Sequence, residues 1–272
     1  IKKYVRMGLL SVDQIAYFTG LEIDACGAAA YEAANDTITD ADEIQDYLDA
    51  KDELFTVVAK GTEEYNNILE RVDSAKIEVG TYTDMSSADQ NTLQGLVDAI
   101  ADFDNYKTVV EGQVADVDPD AAATAFEAET SDADDKAINL ELTAEAWNAI
   151  VVDEAASVLE LNDNTNLSST EIGYFASAMN IYTLSDLLAE AATYGTDDAS
   201  FDNYVAHTGD VFDDIVGMCG EADEMKETYN GLLADLSDAS VSAYDYNQYF
   251  TKLAGEMYDN YQLFDGSGLK EN

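Results

Sequence analysis

Ile44-Gln45-Asp46-Tyr47-Leu48-Asp49-Ala50-Lys51-Asp52-Glu53-Leu54-Phe55-Thr56-Val57-Val58 sets Ile44, Tyr47, Leu48, Leu54, Phe55 and Val58 on one stripe, with acids between them. Apolar residues recurring at three and four share one face of a helix, so this stretch predicts an amphipathic helix buried along one side. The spacing returns in Leu93, Leu96, Val97, Ile100, Phe103, Val110 and Val114, close to a heptad seam. One proline in 272 residues leaves such helices largely uninterrupted. Ser11 with Gln14, Ser87 with Gln90, and Ser168 with Glu171 have capping-box spacing and mark helix starts. Gly61, Gly80 and Gly195 sit where such helices would end. Short alternations such as Ile138-Asn139-Leu140-Glu141-Leu142 suggest at most a minor strand. The expected fold is all-α, in bundles of long amphipathic helices with room for two helical subdomains.

The best boundary lies in Ala115–Ala137, which holds Pro119 and the acidic tract Asp132, Asp134 and Asp135. It predicts a helical domain over 1–115, an acidic linker over 116–137, and a helical domain over 138–272 with a Tyr-rich C-terminal helix. Two segments look alike across it, Leu10-Ser11-Val12-Asp13-Gln14-Ile15-Ala16-Tyr17-Phe18 and Leu167-Ser168-Ser169-Thr170-Glu171-Ile172-Gly173-Tyr174-Phe175. Shared capping chemistry explains the match better than duplication, since it extends no further.

Charge bounds the surroundings. The chain carries 57 acidic against 12 basic residues, a formal net charge of -45. A folded chain of this mass exposes roughly 11,000–12,000 Å², which leaves one net negative charge per ~250 Å². The Debye length is about 10 Å at 0.1 M salt and about 3 Å at 1 M, so self-repulsion is felt in dilute buffer and nearly absent in molar salt. Composition argues against disorder, since 47% of residues are hydrophobic and 10% aromatic. These numbers predict a folded protein adapted to high salt.

Partners and chemistry are bounded too. Twelve cations cannot assemble a phosphate-neutralising surface, so nucleic acid and anionic membrane are poor targets. An acidic surface can instead mimic DNA. No apolar run reaches the ~18 residues of a membrane span, and no stretch reads as a signal peptide. The only histidine, His207, rules out zinc sites built on several histidines and paired Glu-x-x-His di-iron sites. No phosphate loop or dinucleotide fingerprint occurs. Cys26 and Cys219 are far apart and lack metal-ligand spacing; either buried thiols or one long-range disulfide fits, with buried thiols the favoured reading. No enzymatic activity and no cofactor are expected, beyond calcium or loosely held monovalent cations.

Calcium has two weak candidate loops. Asp116, Asp118, Asp120 and Glu127 place oxygens at positions 1, 3, 5 and 12 of an EF-hand, but Ala121 stands where its turn needs glycine. Asp118-Pro119-Asp120 also reads as a helix start, with Pro at the first position. The second pattern runs from Glu160 through Asn162 and Asn164 to Glu171, and lacks both the leading Asp and the glycine. Candidate interface residues lie at the two ends. Lys2, Lys3 and Arg6 hold a quarter of the basic residues in six positions and suit docking on an acidic neighbour. Tyr246, Tyr249, Phe250, Leu253, Met257, Tyr261 and Phe264 form an aromatic stripe suited to core or to subunit contact.

Residues 4–20 carry Tyr4, Val5, Gly8, Leu10, Ser11, Asp13, Gln14, Thr19 and Gly20 in an order that resembles the XkdX-like tail-associated module of phages. In that module an aromatic-Val pair and a Gly precede a capped helix that closes on Thr-Gly. The resemblance covers about 20 of 272 residues. It implies a virion role and, taken with the charge balance, the expectation is a non-enzymatic structural component of a virus particle, capsid- or tail-associated, which assembles with itself or with other virion proteins in high salt. The alternatives are an acidic cell-surface or secreted protein of a halophilic microbe, which the sequons Asn35-Asp36-Thr37 and Asn166-Leu167-Ser168 would suit, and a cation-binding or DNA-mimicking protein.

Overall fold

The computed structural model describes residues 9–35, 41–237 and 248–257. Lys2, Lys3, Arg6, Tyr246 and Tyr261 lie outside them. The helices are α1 (Val12–Asn35), α2 (Ala41–Val79), α3 (Ser87–Ile100), α4 (Phe103–Asp116), α5 (Pro119–Leu161), α6 (Ser169–Met179), α7 (Leu184–Tyr194) and α8 (Asp198–Ser237). A further helical segment covers 248–257, and no strand occurs among the described residues. The fold is all-α. Ile138–Leu142, which alternates like a strand, lies inside α5.

The expected acidic linker is instead the first half of α5. Asp118 Oδ1 accepts from the backbone N–H of Asp120 at 3.0 Å and of Ala121 at 3.0 Å, and Pro119 occupies the first helical position, where its missing N–H costs nothing. Ala122, Phe126, Ala133, Ala137 and Ala144 are buried, while Asp132 and Asp135 face solvent. The chain divides elsewhere, into a unit of Ile1–Val152 with Thr183–Ala206 and a unit of Asp153–Tyr182 with His207–Asn272. Two of the three breaks fall inside helices, α5 and α8, and the third falls between α6 and α7.

The first unit is organised on α2, which packs against α1, α3 and α4. Val58, Tyr65, Val72 and Val79 recur every seventh residue and are buried, as are Gly61, Ile68 and Ala75 three places on from the first three. That is a heptad seam. Gly61 therefore does not end a helix. A Cβ there would stand 3.2 Å from Phe126 Cζ and 3.4 Å from Val110 Cγ2, so glycine lets α4 and α5 approach α2. Its carbonyl accepts from the Tyr106 hydroxyl at 2.8 Å.

The seam expected over 93–114 is broken at Ala101. Asp102 Oδ1 accepts from the N–H groups of Asp104 and Asn105 and starts α4 afresh, because a side chain able to cap competes with helix continuation. Ser86, not Ser87, caps α3 through Asp89. Gly80 does follow the end of α2, and Gly195, at φ 61°, caps α7. Rings fill the space between the helices: Tyr17 to Phe103 at 5.5 Å, Phe103 to Tyr65 at 5.0 Å, Tyr65 to Tyr106 at 4.9 Å and Tyr106 to Phe126 at 5.9 Å. Tyr65 donates to the Ala101 carbonyl at 3.0 Å. Burial, then the charge of Asp102, pushes its phenol up to about 12 and keeps that proton in place.

Arg71 ties α2 to α5 as a two-pronged clamp, with Nη1 and Nη2 on Glu141 at 2.7 and 2.8 Å and Nε on Asp134 at 2.5 Å. Beyond it, Asn139 Nδ2 donates to the carbonyls of Ala191 and Gly195 and fixes α7 on α5. Phe126 closes both the ring series and the Gly61 contact. Phe126→Ala is expected to cost about 3–5 kcal/mol of stability in denaturant titration at high salt. Leu159→Ala, at a residue 71% exposed, should stay within about 0.5 kcal/mol.

Candidate interaction surface

The second unit contains the end of α5, α6, α8 from His207 onward, and 248–257. Leu161, Phe175, Met179, Phe212, Ile215 and Cys219 are among its buried apolar residues. Ser168 opens α6 as the sequence predicts. Its hydroxyl accepts from the Glu171 N–H at 3.3 Å, and Glu171 Oε2 accepts from the Ser168 N–H at 2.8 Å. The other carboxylate oxygen takes the Lys226 ammonium of α8 at 2.7 Å. Lys226, and after it the Ser168 backbone and hydroxyl, hold the Glu171 carboxyl down at about 2.

Asp223 secures the loop before α6. Its Oδ1 accepts from the N–H of Asn166 at 2.7 Å and of Leu167 at 3.2 Å, and its Oδ2 from Asn166 Nδ2 at 2.9 Å. Those bonds, the Asn166 side chain foremost, hold the Asp223 carboxyl below its ordinary value. Asn164 Nδ2 donates to the Leu161 carbonyl at 3.0 Å and to Cys219 Sγ at 3.4 Å. Burial, then the Asp223 charge, pushes the Cys219 thiol up, so it stays protonated and unreactive.

Between α6, α8 and 248–257 this framework leaves a groove of about 850 Å³. Leu167, Phe175, Met225 and Leu253 line it, and Tyr174, Tyr229 and Met257 stand along it. Tyr174 is 66% exposed and Met257 61%. Glu221, Glu224 and Glu256 add carboxylates, and the lining lysine, Lys226, already holds Glu171. The surface is apolar within and acidic around.

The sequence-derived candidates fare unevenly. Of the C-terminal stripe, Leu253 and Met257 reach the groove, Phe250 is 59% exposed and Tyr249 half-buried, so this face is not all core. The EF-hand loop at 116–127 does not form, because α5 begins at its fourth position: Asp118 caps the helix while Asp120 and Glu127 ride on it, and Asp116 closes α4. In the second pattern Asn162 Nδ2 donates to the Val158 carbonyl, Asn164 to Leu161 and Cys219, and Glu171 is held by Ser168 and Lys226. No three His, Cys, Asp or Glu side chains converge to hold a metal among the described residues. His207 is exposed on α8. Cys26 is exposed and Cys219 buried, both as free thiols.

Tyr174, Met225 and Tyr229 were missed by sequence reasoning. The available signals were the repeat ending in Tyr174-Phe175 and the four-residue spacing of Met225 and Tyr229. That repeat is real in local structure. Ser11 pairs with Gln14 as Ser168 pairs with Glu171, Phe18 and Phe175 are both buried, and each neighbouring Tyr meets its Phe edge to face. The helix opened by Ser11 does not close at Thr19-Gly20, as the phage-module resemblance implied, but runs on to Asn35.

Fold and groove together define an acidic all-α protein that presents an apolar, acid-rimmed groove. No helix among the described residues is long and apolar enough to cross a membrane. Comparison with family models, with curated proteins and with solved structures returns no match.

A carboxylate held low in the fold favours the folded form above its ordinary value of 4.5, and that contribution is lost as pH falls toward about 2. Carbon-detected NMR of Glu171 is expected to show a midpoint near 2, and Lys226→Met should move it toward 4.5. A wild-type midpoint already in the ordinary carboxylate range would remove the Lys226 contact.

Proposed function

We propose that the protein is a non-enzymatic structural component of a virus particle, assembling with itself or with other virion proteins in high salt. The observation that carries this is the charge imbalance on a chain so fully helical. Arg71, Lys76, Lys107, Lys136, Lys226 and Lys252 each hold a carboxylate, and 57 acids face 12 basic residues in all. Most of the negative charge has only solvent cations to screen it. Neighbouring copies can close up once the Debye length falls to a few ångströms.

Two further observations support the reading. Tyr174, Met257 and Phe250 are exposed apolar or aromatic side chains of the second unit, and the first two line the groove, as exposed apolar residues do at contact sites. The polar groups beside it close helix ends and clamp a loop, and Cys219 is kept as an unreactive thiol, which fits binding better than catalysis. The resemblance of residues 4–20 to a phage tail-associated module supplies the virion setting. At the second sequon of the cell-surface alternative, Asn166 Nδ2 already donates to Asp223 Oδ2, which leaves one N–H for a glycan to replace.

Sedimentation velocity with circular dichroism, from about 0.1 M to about 3 M KCl, tests the proposal across a Debye length falling from about 10 Å to below 3 Å. Association with rising salt, with gain or retention of helix, is expected. A compact helical monomer indifferent to salt would sink the proposal and favour DNA mimicry or cation binding.

A further inference from the structure

We infer that the groove of the second unit receives the basic, apolar N-terminal segment Ile1-Lys2-Lys3-Tyr4-Val5-Arg6-Met7 of another copy of the chain. The inference rests on the assembly reading above and names the contact that would make it.

The internal repeat supplies the first argument. In the first unit Tyr17 is covered by α4. The Phe103 ring meets it edge-on at 5.5 Å, and Lys107 Nζ lies 5.8 Å from the Tyr17 ring centre and 5.3 Å from that of Phe103. The cover for this element is thus an aromatic ring with a cation four residues on, where apolar contact and cation–π attraction act together. Tyr174, the matching residue of the second unit, is 66% exposed. The chain itself shows what kind of segment this element takes.

Charge supplies the second argument. Glu221, Glu224 and Glu256 beside the groove repel most of this chain, and the one lining lysine is already paired with Glu171. The segment after Met257 carries Asp259, Asp265 and Glu271 against Lys270 and has the wrong sign. Residues 1–7 have the right one: Lys2, Lys3 and Arg6 set among Ile1, Tyr4, Val5 and Met7. Molar salt weakens the ionic part of such a contact and leaves the apolar part, so the two together hold over a wider salt range than either alone.

The test uses a fluorescent peptide of residues 1–10 and, as receptor, the full chain carrying Lys2→Glu, Lys3→Glu and Arg6→Glu, whose own segment cannot compete. Anisotropy in moderate and in molar KCl is expected to show saturable binding of one peptide per chain. Tyr174→Asp, a change at an exposed residue, and Met225→Glu should each weaken binding at least about tenfold, about 1.4 kcal/mol. A peptide with its three cations changed to Glu should not bind in moderate KCl, and its binding there would overturn the inference.

Absence of saturable binding overturns the inference, and so does binding indifferent to Tyr174→Asp. Binding that requires removal of residues 258–272 also overturns it, since the chain's own tail would then be the occupant. Wild-type association in molar salt without peptide binding defeats this inference alone. Peptide binding by a wild-type chain that stays monomeric at every salt defeats the intermolecular contact and the assembly reading together.

Discussion

Scarcity of cations governs this structure. Among the described basic side chains, several sit where one helix meets another: Arg71 joins α2 to α5, Lys76 reaches Asp98 of α3, and Lys226 reaches Glu171 of α6. Lys136 and Lys252 pair within their own helices. Exposed ion pairs contribute about 0–1 kcal/mol each, so their number is not what stabilises the fold. Their placement sets registers between helices that repulsion would otherwise blur. Arg71 does this best, because its planar fork fixes a direction as well as a distance.

With so little charge pairing available, cohesion falls to the apolar seam. α2 meets its neighbours through Val, Tyr and Ile at heptad spacing, the first half of α5 buries alanines and Phe126, and Gly61 makes room for the Phe126 ring against α2. Tyr65 and Tyr106 suit this setting because each fills volume with a ring and satisfies a backbone carbonyl with its hydroxyl. The second unit repeats the opening element of the first without closing over its tyrosine. Its groove is therefore built from ordinary bundle parts whose last layer is not supplied by α6, α8 or 248–257.

What could be read from the sequence depended on range. The caps at Ser11 and Ser168 were legible because donor and acceptor lie three residues apart, and so was the all-α class, which needs only periodicity. Gly61 was misread as a helix end because its purpose lies in Phe126, 65 residues away, and nothing local separates a packing glycine from a terminating one. The tract 116–137 was misread as a linker because its buried face is mostly alanine. Alanine adds little hydrophobic signal beside Asp132, Asp134 and Asp135, although small residues are what close helix approach requires. Pro119 allowed both readings, and only the Asp118 cap decides for a helix start. The C-terminal aromatic stripe was visible as a stripe. Whether another element covers it depends on α6 and α8, which periodicity along 246–264 cannot reveal.

Trp147, the only tryptophan in the chain, is buried in the first unit, with its indole N–H 3.3 Å from Asp89 Oδ2. Cys219 is buried in the second unit, and Cys26 lies open on α1. Each unit thus carries its own optical or chemical clock. Indole emission follows the opening of the first unit alone. A thiol reagent consumes Cys26 at once and reaches Cys219 only when the second unit opens, so the order in which the halves of this molecule loosen is written into two side chains.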